Sequence, residues 1–348
     1  MKHTRHRFYF TNFFTMKNIK LIFCLALFSL VIFSCKKDDS QLEKKSILGV
    51  NFSQSPIPLN GLDVNFAANI KYGSYNGSTF DIFIPKSDNP TALVIFIHGG
   101  SFVAGDKSDI YGGDSPNDIR YCLSNNVAFA TINYPFKIEV GGILGCMNEI
   151  KRCIQFMRYN NIALNINKVK VGCYGGSAGG GASIWLGFKD EMADGESGDP
   201  VLRESTRLQA VGHTNSQASY DPLVMEEIFA NVGVDFFSLQ DVTETVLLDY
   251  GIVSLDELTS NPTTVNMRKD LDMLGWMTSD DPEFYTSNNN ENTTPQDKGE
   301  AIHHPLQSKA LFDKAAIVGI TCNANIAALP MVTNTSETLP EYMIRILN

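Results

Sequence analysis

The sequence predicts an α/β protein with a mostly parallel sheet, because strand and helix patterns alternate along much of the chain. Residues 92–98 form a continuous apolar run, which is typical of a central parallel strand buried on both faces. Helix patterns at 117–124 and 143–159 enclose a strand pattern at 127–133. Parallel strands joined in this way need right-handed crossovers, which place the helices against the faces of the sheet.

Composition narrows the class of protein. The chain has 348 residues, of which 43% are hydrophobic and 19% charged, which suits one large α/β domain with an insertion or two modest domains. The formal net charge of -10 argues against a nucleic-acid-binding protein. No C-x-x-C pair or His/Cys cluster indicates a structural metal, so we predict none.

The N-terminal residues 1–35 are typical of a lipoprotein signal. Lys17 and Lys20 precede an apolar run at 21–33, which ends at Ser34 and Cys35. The run is shorter than the roughly 20 residues that a membrane span needs, so we expect cleavage before Cys35 and lipid attachment to its thiol. A retained membrane anchor is the alternative. Either Met1 or Met16 could be the start of translation.

Residues 36–56 read as a polar tether between the lipid and a folded domain at 57–348. The charged residues 36–39 resemble the surface-export signal of Bacteroidetes-type lipoproteins. We therefore expect a protein of the cell envelope that a lipid at Cys35 anchors to the outer membrane, with exposure at the cell surface as a further expectation.

A G-x-S-x-G motif follows the strand pattern at 169–174. In a strand–turn–helix context this motif forms a strained turn that lifts the serine hydroxyl clear of the sheet, and glycine is needed where side chains would clash. Gly175, Ser177 and Gly179 meet these needs, and residues 178–190 read as the helix. The alternative is a glycine-rich turn that only packs tightly or binds phosphate.

A second glycine motif supports the catalytic interpretation. His98, Gly99 and Gly100 come directly after the central strand pattern. Backbone N–H groups in such a loop can stabilise the oxyanion of a tetrahedral intermediate, together with the amide of the residue after the nucleophile. We therefore predict an oxyanion hole formed by Gly99, Gly100 and Ala178. The alternative is a simple turn. It is disfavoured because the G-x-S-x-G motif follows this loop after one helix–strand–helix–strand stretch of the chain, as expected for two parts of one catalytic site.

Four motifs together resemble the α/β-hydrolase superfamily: IHGG at 97–100, NYP at 133–135, NINKV at 165–169 and GGSAGG at 175–180. The resemblance is to its esterase and lipase branch, which includes hormone-sensitive-lipase-like enzymes and acetyl and feruloyl esterases. It implies an eight-stranded, mostly parallel sheet flanked by helices, and ester hydrolysis through an acyl-serine without a cofactor.

The later part of the chain is predicted to contain a cap. Residues 223–277 are helical in pattern and lie between two sheet strands, so we expect them to cover the carboxyl edge and to control substrate access. No residue in the cap identifies an acyl or alcohol group. The remaining predicted elements are strands at 80–84, 210–216, 283–286 and 316–322 and helices at 305–314 and 339–347, the strand at 80–84 belonging to an early antiparallel part of the sheet.

A serine nucleophile needs a base and a group that orients the base. The family order is serine, acid, histidine, and the family's acid often precedes a short run that ends in proline. Counting back from Pro295, the resemblance assigns the acid to Glu291. Asp280 and Asp281, just before a predicted strand, are the alternatives, and each carboxylate could instead be a solvated loop residue.

The histidine departs from the family pattern. The loop after the last predicted strand contains none, and His213 falls in a predicted strand, where a core role fits best. His303 and His304 come before Pro305, in a loop that should leave the sheet at the same edge as Ser177. Either could be a relocated base. Alternatively both only end the loop, with His304 capping the next helix.

Two functions of different classes follow. The first is a serine hydrolase that cleaves carboxylic esters, with carbohydrate-linked esters suggested by the expected surface location and by the resemblance. The second is an inactive α/β-hydrolase-fold protein that has lost its base and binds a ligand under the cap; a peptidase is a lesser third. The expected partners are an ester substrate and, through Cys35, a membrane. The sequence does not define an oligomeric state.

Overall fold

The computed structural model describes residues 48–348, so the predicted signal segment with Cys35 lies outside the described residues. Within this range the chain forms one eight-stranded sheet with the strand order β1-β2-β4-β3-β5-β6-β7-β8. The strands are β1 (Val64–Lys71), β2 (Thr79–Pro85), β3 (Thr91–Ile97), β4 (Ala128–Ile132), β5 (Ile166–Gly176), β6 (Ala210–Thr214), β7 (Phe284–Asn288) and β8 (Cys322–Ile326).

The sheet is parallel except at one edge. β2 pairs antiparallel with β1 and with β4, and every other pairing is parallel. The predicted fold class, a mostly parallel eight-stranded sheet flanked by helices, is confirmed.

Among residues 48–348 the α-helices are α1 (Pro116–Ser124), α2 (Lys137–Val140), α3 (Ile143–Tyr159), α4 (Ala178–Phe188), α5 (Pro222–Ala230), α6 (Val242–Tyr250), α7 (Glu257–Ser260), α8 (Pro262–Asp270), α9 (Met273–Trp276), α10 (Lys298–Ile302), α11 (Pro305–Val318) and α12 (Leu339–Leu347). Short 3-10 helices occupy Lys107–Tyr111, Pro200–Arg203 and Phe236–Ser238. In this part of the chain no helix has the length and apolar character needed to cross a membrane.

The two faces of the sheet form two cores, because successive side chains of a strand point to opposite faces. In β3, Leu93 and Ile95 belong to one core and Val94 to the other. Helices α3, α4 and α11 cover the first face, and α1 and α12 cover the second. The continuous apolar run of β3 is therefore explained by burial on both sides.

One predicted strand is wrong. Residues 316–318 continue α11 to Val318, and the last strand begins only at Cys322. Gly319 has a φ of 84° and ends the helix in the left-handed conformation that glycine adopts easily. The apolar pattern before this glycine thus belongs to the helix.

The first strand, β1, has no counterpart in the sequence analysis. Its pairing with β2 shifts register between Ala67 and Ile70. Asn69 has a φ of 55° there, and its N–H donates to the Asp81 carboxylate at 2.7 Å. This bulge interrupts the alternation of polar and apolar residues by which a strand is predicted.

The end of the predicted tether contacts the folded domain. Leu48 and Val50 pack against the core, and Ser53 forms an isolated antiparallel bridge with Phe66 of β1. The folded part of the chain therefore includes residues before 57.

The predicted helical segment 223–277 forms α5 to α9 with a small core of its own. Its buried side chains, among them Phe229, Phe236 and Val246, pack with Ala301 of α10. The Arg268 guanidinium also binds the buried Asp221 carboxylate, with a shortest distance of 2.7 Å. This pair ties α8 to the start of α5.

We predict that Gly175→Ala destabilises the fold by about 1–3 kcal/mol, because a new side chain would have to displace backbone. A Cβ at Gly175 would lie 2.3 Å from the Ile97 carbonyl oxygen, whereas one at Gly176 would come no closer than 3.3 Å, to the Thr214 hydroxyl. Gly176→Ala is therefore the matched control. Urea unfolding of both variants measures the difference, and equal free energies of unfolding would contradict the prediction.

Candidate active site

Ser177 occupies the strained turn between β5 and α4. Its φ of 50° and ψ of −124° are unusual for a residue with a side chain. The surrounding backbone holds it there, since its N–H donates to the Thr214 carbonyl at 3.1 Å and its carbonyl accepts the Gly181 N–H at 3.0 Å. The Ser216 hydroxyl donates to the same Ser177 carbonyl. The conformation is fixed on both sides of the serine.

The glycine at the start of α4 is required by close packing. A Cβ at Gly179 would lie 1.9 Å from the Ile97 carbonyl oxygen and 2.7 Å from that of His98. The first turn of α4 thus lies directly against the end of β3.

The Ser177 hydroxyl contacts a histidine. Its Oγ lies 2.9 Å from Nε2 of His303, the residue that follows α10. Burial lowers the pKa of the His303 imidazole, and a hydrogen bond with the Gly299 backbone acts in the opposite direction. A ring N–H that donates to the Gly299 carbonyl leaves Nε2 free to accept the serine proton.

Two asparagines at the end of β7 hold the backbone of His303. The side-chain amides of Asn288 and Asn290 donate to the His303 carbonyl at 3.0 and 2.8 Å. Asn288 is fully buried, and its side-chain oxygen accepts the Asn290 N–H at 2.9 Å. Neither residue is predicted from the sequence, although three consecutive asparagines after a strand at the carboxyl edge are a signal.

His304 has a different role. Its Nδ1 accepts the Leu306 N–H at 3.2 Å, and its Nε2 lies 2.8 Å from the Thr293 carbonyl oxygen. Both ring nitrogens are therefore engaged in ending the loop and capping α11, which was one of the two alternatives.

The structure brings none of the three predicted acids onto His303. Glu291 is exposed and, within residues 48–348, forms no hydrogen bond with His303, although both line a shallow surface pocket. Asp280 and Asp281 lie 3.4 and 3.2 Å from the Arg207 guanidinium. A hydrogen bond with the Gly299 backbone, which acts against burial on the pKa of His303, involves no carboxylate.

The predicted oxyanion loop lies beside the nucleophile. A Cβ at Gly99 would lie 3.3 Å from the Cβ of Ser177, and Gly100 has a φ of 103°. Within residues 48–348, the N–H groups of Gly99 and Gly100 donate to no protein acceptor. Ala178 begins α4, where N–H groups lack intrahelical partners. The loop that contains Gly99 and Gly100 and the start of α4 at Ala178 thus lie on either side of Ser177, and the assignment of an oxyanion hole stays a prediction.

His98 and Tyr134 hold this loop. Their rings stack with centroids 4.4 Å apart, and the Tyr134 hydroxyl donates to the His98 carbonyl at 2.9 Å. The His98 Nδ1 lies 2.7 Å from the Gly99 carbonyl oxygen. Burial lowers the pKa of His98, and it lowers that of His213, in the sheet, to about 4. Both histidines are therefore neutral structural groups at neutral pH.

A pocket of about 100 Å³ adjoins Ala178. Its walls include Phe102 from the oxyanion loop, Ile302 from α10, and Tyr220 and Met225 from the chain that enters the cap. Most of the lining is apolar, and the charged groups are Lys137, Asp249 and Lys298. Among residues 48–348, no group of three or more His, Cys, Asp or Glu side chains could hold a metal ion.

The fold and site define an α/β hydrolase of the esterase branch. The chain belongs to the BD-FAE family, whose model matches residues 80–293. The match includes Ser177 and the oxyanion loop and ends before His303. No curated protein sequence matches the chain.

Solved structures show the same fold. A truncated carbohydrate esterase from gut microbiota is 17% identical with a TM-score of 0.57, over 80% of this chain and 88% of its own. A bifunctional GH43-CE protein from Bacteroides eggerthii is 18% identical with a TM-score of 0.57, and the match covers 75% of this chain and 34% of that protein. Thermogutta terrifontis esterase 2, phosphonylated by sarin, is 15% identical with a TM-score of 0.52, and the match covers 79% of this chain and 86% of that protein.

We predict that a fluorophosphonate probe labels Ser177 at a rate that falls as the pH is lowered through the pKa of His303. Only the neutral imidazole can accept the serine proton, so labelling is fastest above this pKa. Since burial lowers the pKa of His303, the midpoint should lie below the ordinary histidine value of about 6.5. Labelling rates between pH 4 and 8, followed by mass spectrometry, measure it. A midpoint above the ordinary value would contradict the prediction, and Ser177→Ala is the unlabelled control.

Proposed function

We propose that the protein hydrolyses carboxylic esters through an acyl-serine intermediate. The observation that carries the proposal is the 2.9 Å contact between the Ser177 hydroxyl and Nε2 of His303. The unpaired N–H groups of Gly99 and Gly100 beside the same serine give independent support.

The proposed reaction has two halves. In the first, Ser177 attacks the ester carbonyl while His303 accepts its proton, and the N–H groups of Gly99, Gly100 and Ala178 stabilise the oxyanion. The C–O bond to the alcohol then breaks, and the His303 imidazolium protonates the leaving oxygen. In the second half His303 activates water, which hydrolyses the acyl-serine and returns the proton to Ser177.

In this mechanism the base is oriented by backbone groups. The Gly299 carbonyl selects the tautomer, and Asn288 and Asn290 fix the position of the His303 backbone. A neutral carbonyl stabilises the imidazolium less than a carboxylate would. This agrees with the lowered pKa of His303.

We further propose carbohydrate-linked esters as the natural substrates. Two of the structural neighbours are described as a carbohydrate esterase and a GH43-CE protein, and a protein anchored through Cys35 at the cell surface would meet extracellular polysaccharides. The alternative is an inactive binding protein under the same cap. The inactive alternative requires that no histidine acts as a base for Ser177, and the Ser177–His303 contact favours the enzyme.

We expect Ser177→Ala to lower kcat/KM for 4-nitrophenyl acetate by about 10⁴-fold or more, and His303→Asn to cause a comparable loss, because nucleophile and base act as a unit. His304→Asn keeps an acceptor for the α11 cap and should retain activity within a few-fold. Turnover by Ser177→Ala equal to that of the wild type would refute the proposed function. Equal losses in the two histidine variants would refute the assignment of His303.

A second pair of variants tests how the base is oriented. Asn288→Ala removes a buried hydrogen bond to the His303 carbonyl, and we expect kcat to fall about 10–100-fold with little change in KM. The pH midpoint of the acid limb in the pH profile of kcat should also shift, which a purely structural role of Asn288 would not cause. Glu291→Gln should change kcat less than about 10-fold, whereas loss of an orienting carboxylate costs about 10⁴-fold.

The exposed Asn289 donates only through its backbone to the Asn215 side chain, so Asn289→Ala is the matched control. A loss on Glu291→Gln as large as that on His303→Asn would show that Glu291 acts as the acid. A normal rate for Asn288→Ala would show that Gly299 and Asn290 alone suffice.

A further inference from the structure

Within residues 48–348, the pocket that adjoins Ala178 contains one cation without an anionic partner. Lys137 and Asp249 both line the pocket and form a salt bridge with each other. Lys298 also lines it, but its ammonium donates to the Thr245 hydroxyl at 3.2 Å and, within residues 48–348, lies within 4.0 Å of no carboxylate. The charged groups of the pocket therefore sum to one uncompensated positive charge, at Lys298.

The backbone of Lys298 is held in place. Its N–H donates to the Gln240 carbonyl at 3.0 Å, and Gln240 forms a parallel bridge with Asp297. Lys298 is the first residue of α10, and His303 directly follows the last. The cation and the base are therefore placed by the same short helix.

The surroundings of this cation are mostly apolar. Lys298 is half-buried, and the lining of the pocket is mostly apolar. Removing an ammonium from water is unfavourable unless an anion or several hydrogen-bond acceptors replace the lost hydration, and one hydroxyl is a partial replacement. A ligand carboxylate in the pocket would supply the missing charge.

We propose that the pocket selects ester substrates that carry a carboxylate, which binds the Lys298 ammonium while the ester lies at Ser177. This proposal rests on the esterase function proposed above and specifies its substrate class. The carboxylate can belong to the acyl part, as in a half-ester of a dicarboxylic acid, or to the alcohol part, as in an acylated uronic acid. Lys298 is a specificity residue in this reaction and takes no part in proton transfer.

Two substrate pairs separate these sources. The acyl pair is the 4-methylumbelliferyl half-ester of adipic acid and neutral 4-methylumbelliferyl hexanoate. The alcohol pair is acetylated methyl glucuronoside and acetylated methyl glucoside, with acetate release as the readout. Each is tested with the wild type, with Lys298→Met, and with Lys71→Met as control, since Lys71 is an exposed residue at the end of β1.

We expect the wild type to prefer the carboxylate member of one pair by about 10–100-fold in kcat/KM, as for a hydrogen bond to a charged group. Lys298→Met should abolish this preference, mainly through KM, and leave the neutral substrates within about 3-fold. Lys71→Met should behave as the wild type. The preference should also weaken as salt is raised, because the ion pair is screened. The pair that shows the preference identifies the source of the carboxylate.

A wild type without preference in both pairs would overturn the proposal, as would equal losses on charged and neutral substrates in Lys298→Met. A calorimetric measurement separates this failure from failure of the esterase function. Adipate and methyl glucuronoside are titrated into Ser177→Ala, with and without Lys298→Met. Binding that requires Lys298 supports the site even if no ester is turned over. Equal binding of both anions to the two proteins would refute it.

Discussion

The close crossing of β3 by the turn between β5 and α4 is the constraint on which the site depends. Cβ atoms at Gly175 and Gly179 would lie 2.3 and 1.9 Å from the same Ile97 carbonyl oxygen, so only glycine allows this approach. The crossing sets Ser177 beside Gly99, because the oxyanion loop leaves β3 directly after Ile97. The proposed nucleophile, Ser177, and the proposed oxyanion donor Gly99 are thus positioned by main-chain contacts within the sheet. Side-chain flexibility has little effect on their relative geometry, which is what preorganised stabilisation of an oxyanion requires.

The base is positioned by a second and separate set of contacts. His303 comes from the connection between β7 and β8, and side-chain amides and a backbone carbonyl hold it at the serine. These groups are neutral, so they fix position and tautomer without stabilising the imidazolium as a carboxylate does. Burial lowers the pKa of this ring, and no carboxylate on the ring acts against that effect within residues 48–348. A base of this kind retains its proton-accepting form over a wide pH range, but the imidazolium that forms in the transition state is less stabilised.

The sequence was sufficient where a feature depends on local backbone chemistry. The strained turn at Ser177, the loop at Gly99 and Gly100 and the bounds of α3 and α12 belong to this class. In α12, Thr338 and Glu341 form a capping box that marks the helix start. It was insufficient where the outcome depends on contacts between distant segments. His303 and His304 are neighbours with the same chemistry, and only the fold turns one ring to Ser177 and the other to Thr293 and Leu306. Asn288 and Asn290 were not predicted for the same reason, since the His303 carbonyl that they bind lies more than ten residues away in the chain. The last strand was misplaced as well, since helix α11 extends to Val318 and is ended by Gly319.

Helix α10 links the cap to the base. Its Lys298 is bound to Gln240 and Thr245 of the cap segment, Ala301 belongs to the core of the cap, and Ile302 lines the pocket. His303 comes next in the chain, so any movement of the cap that displaces α10 also displaces the base. Ser177 is anchored in the sheet and does not share this dependence. Contacts between α10 and the segment 223–277 therefore bear on the position of His303 relative to Ser177. Ile302 lines the pocket and directly precedes His303, so a ligand in the pocket would contact the same helix that positions the proposed base.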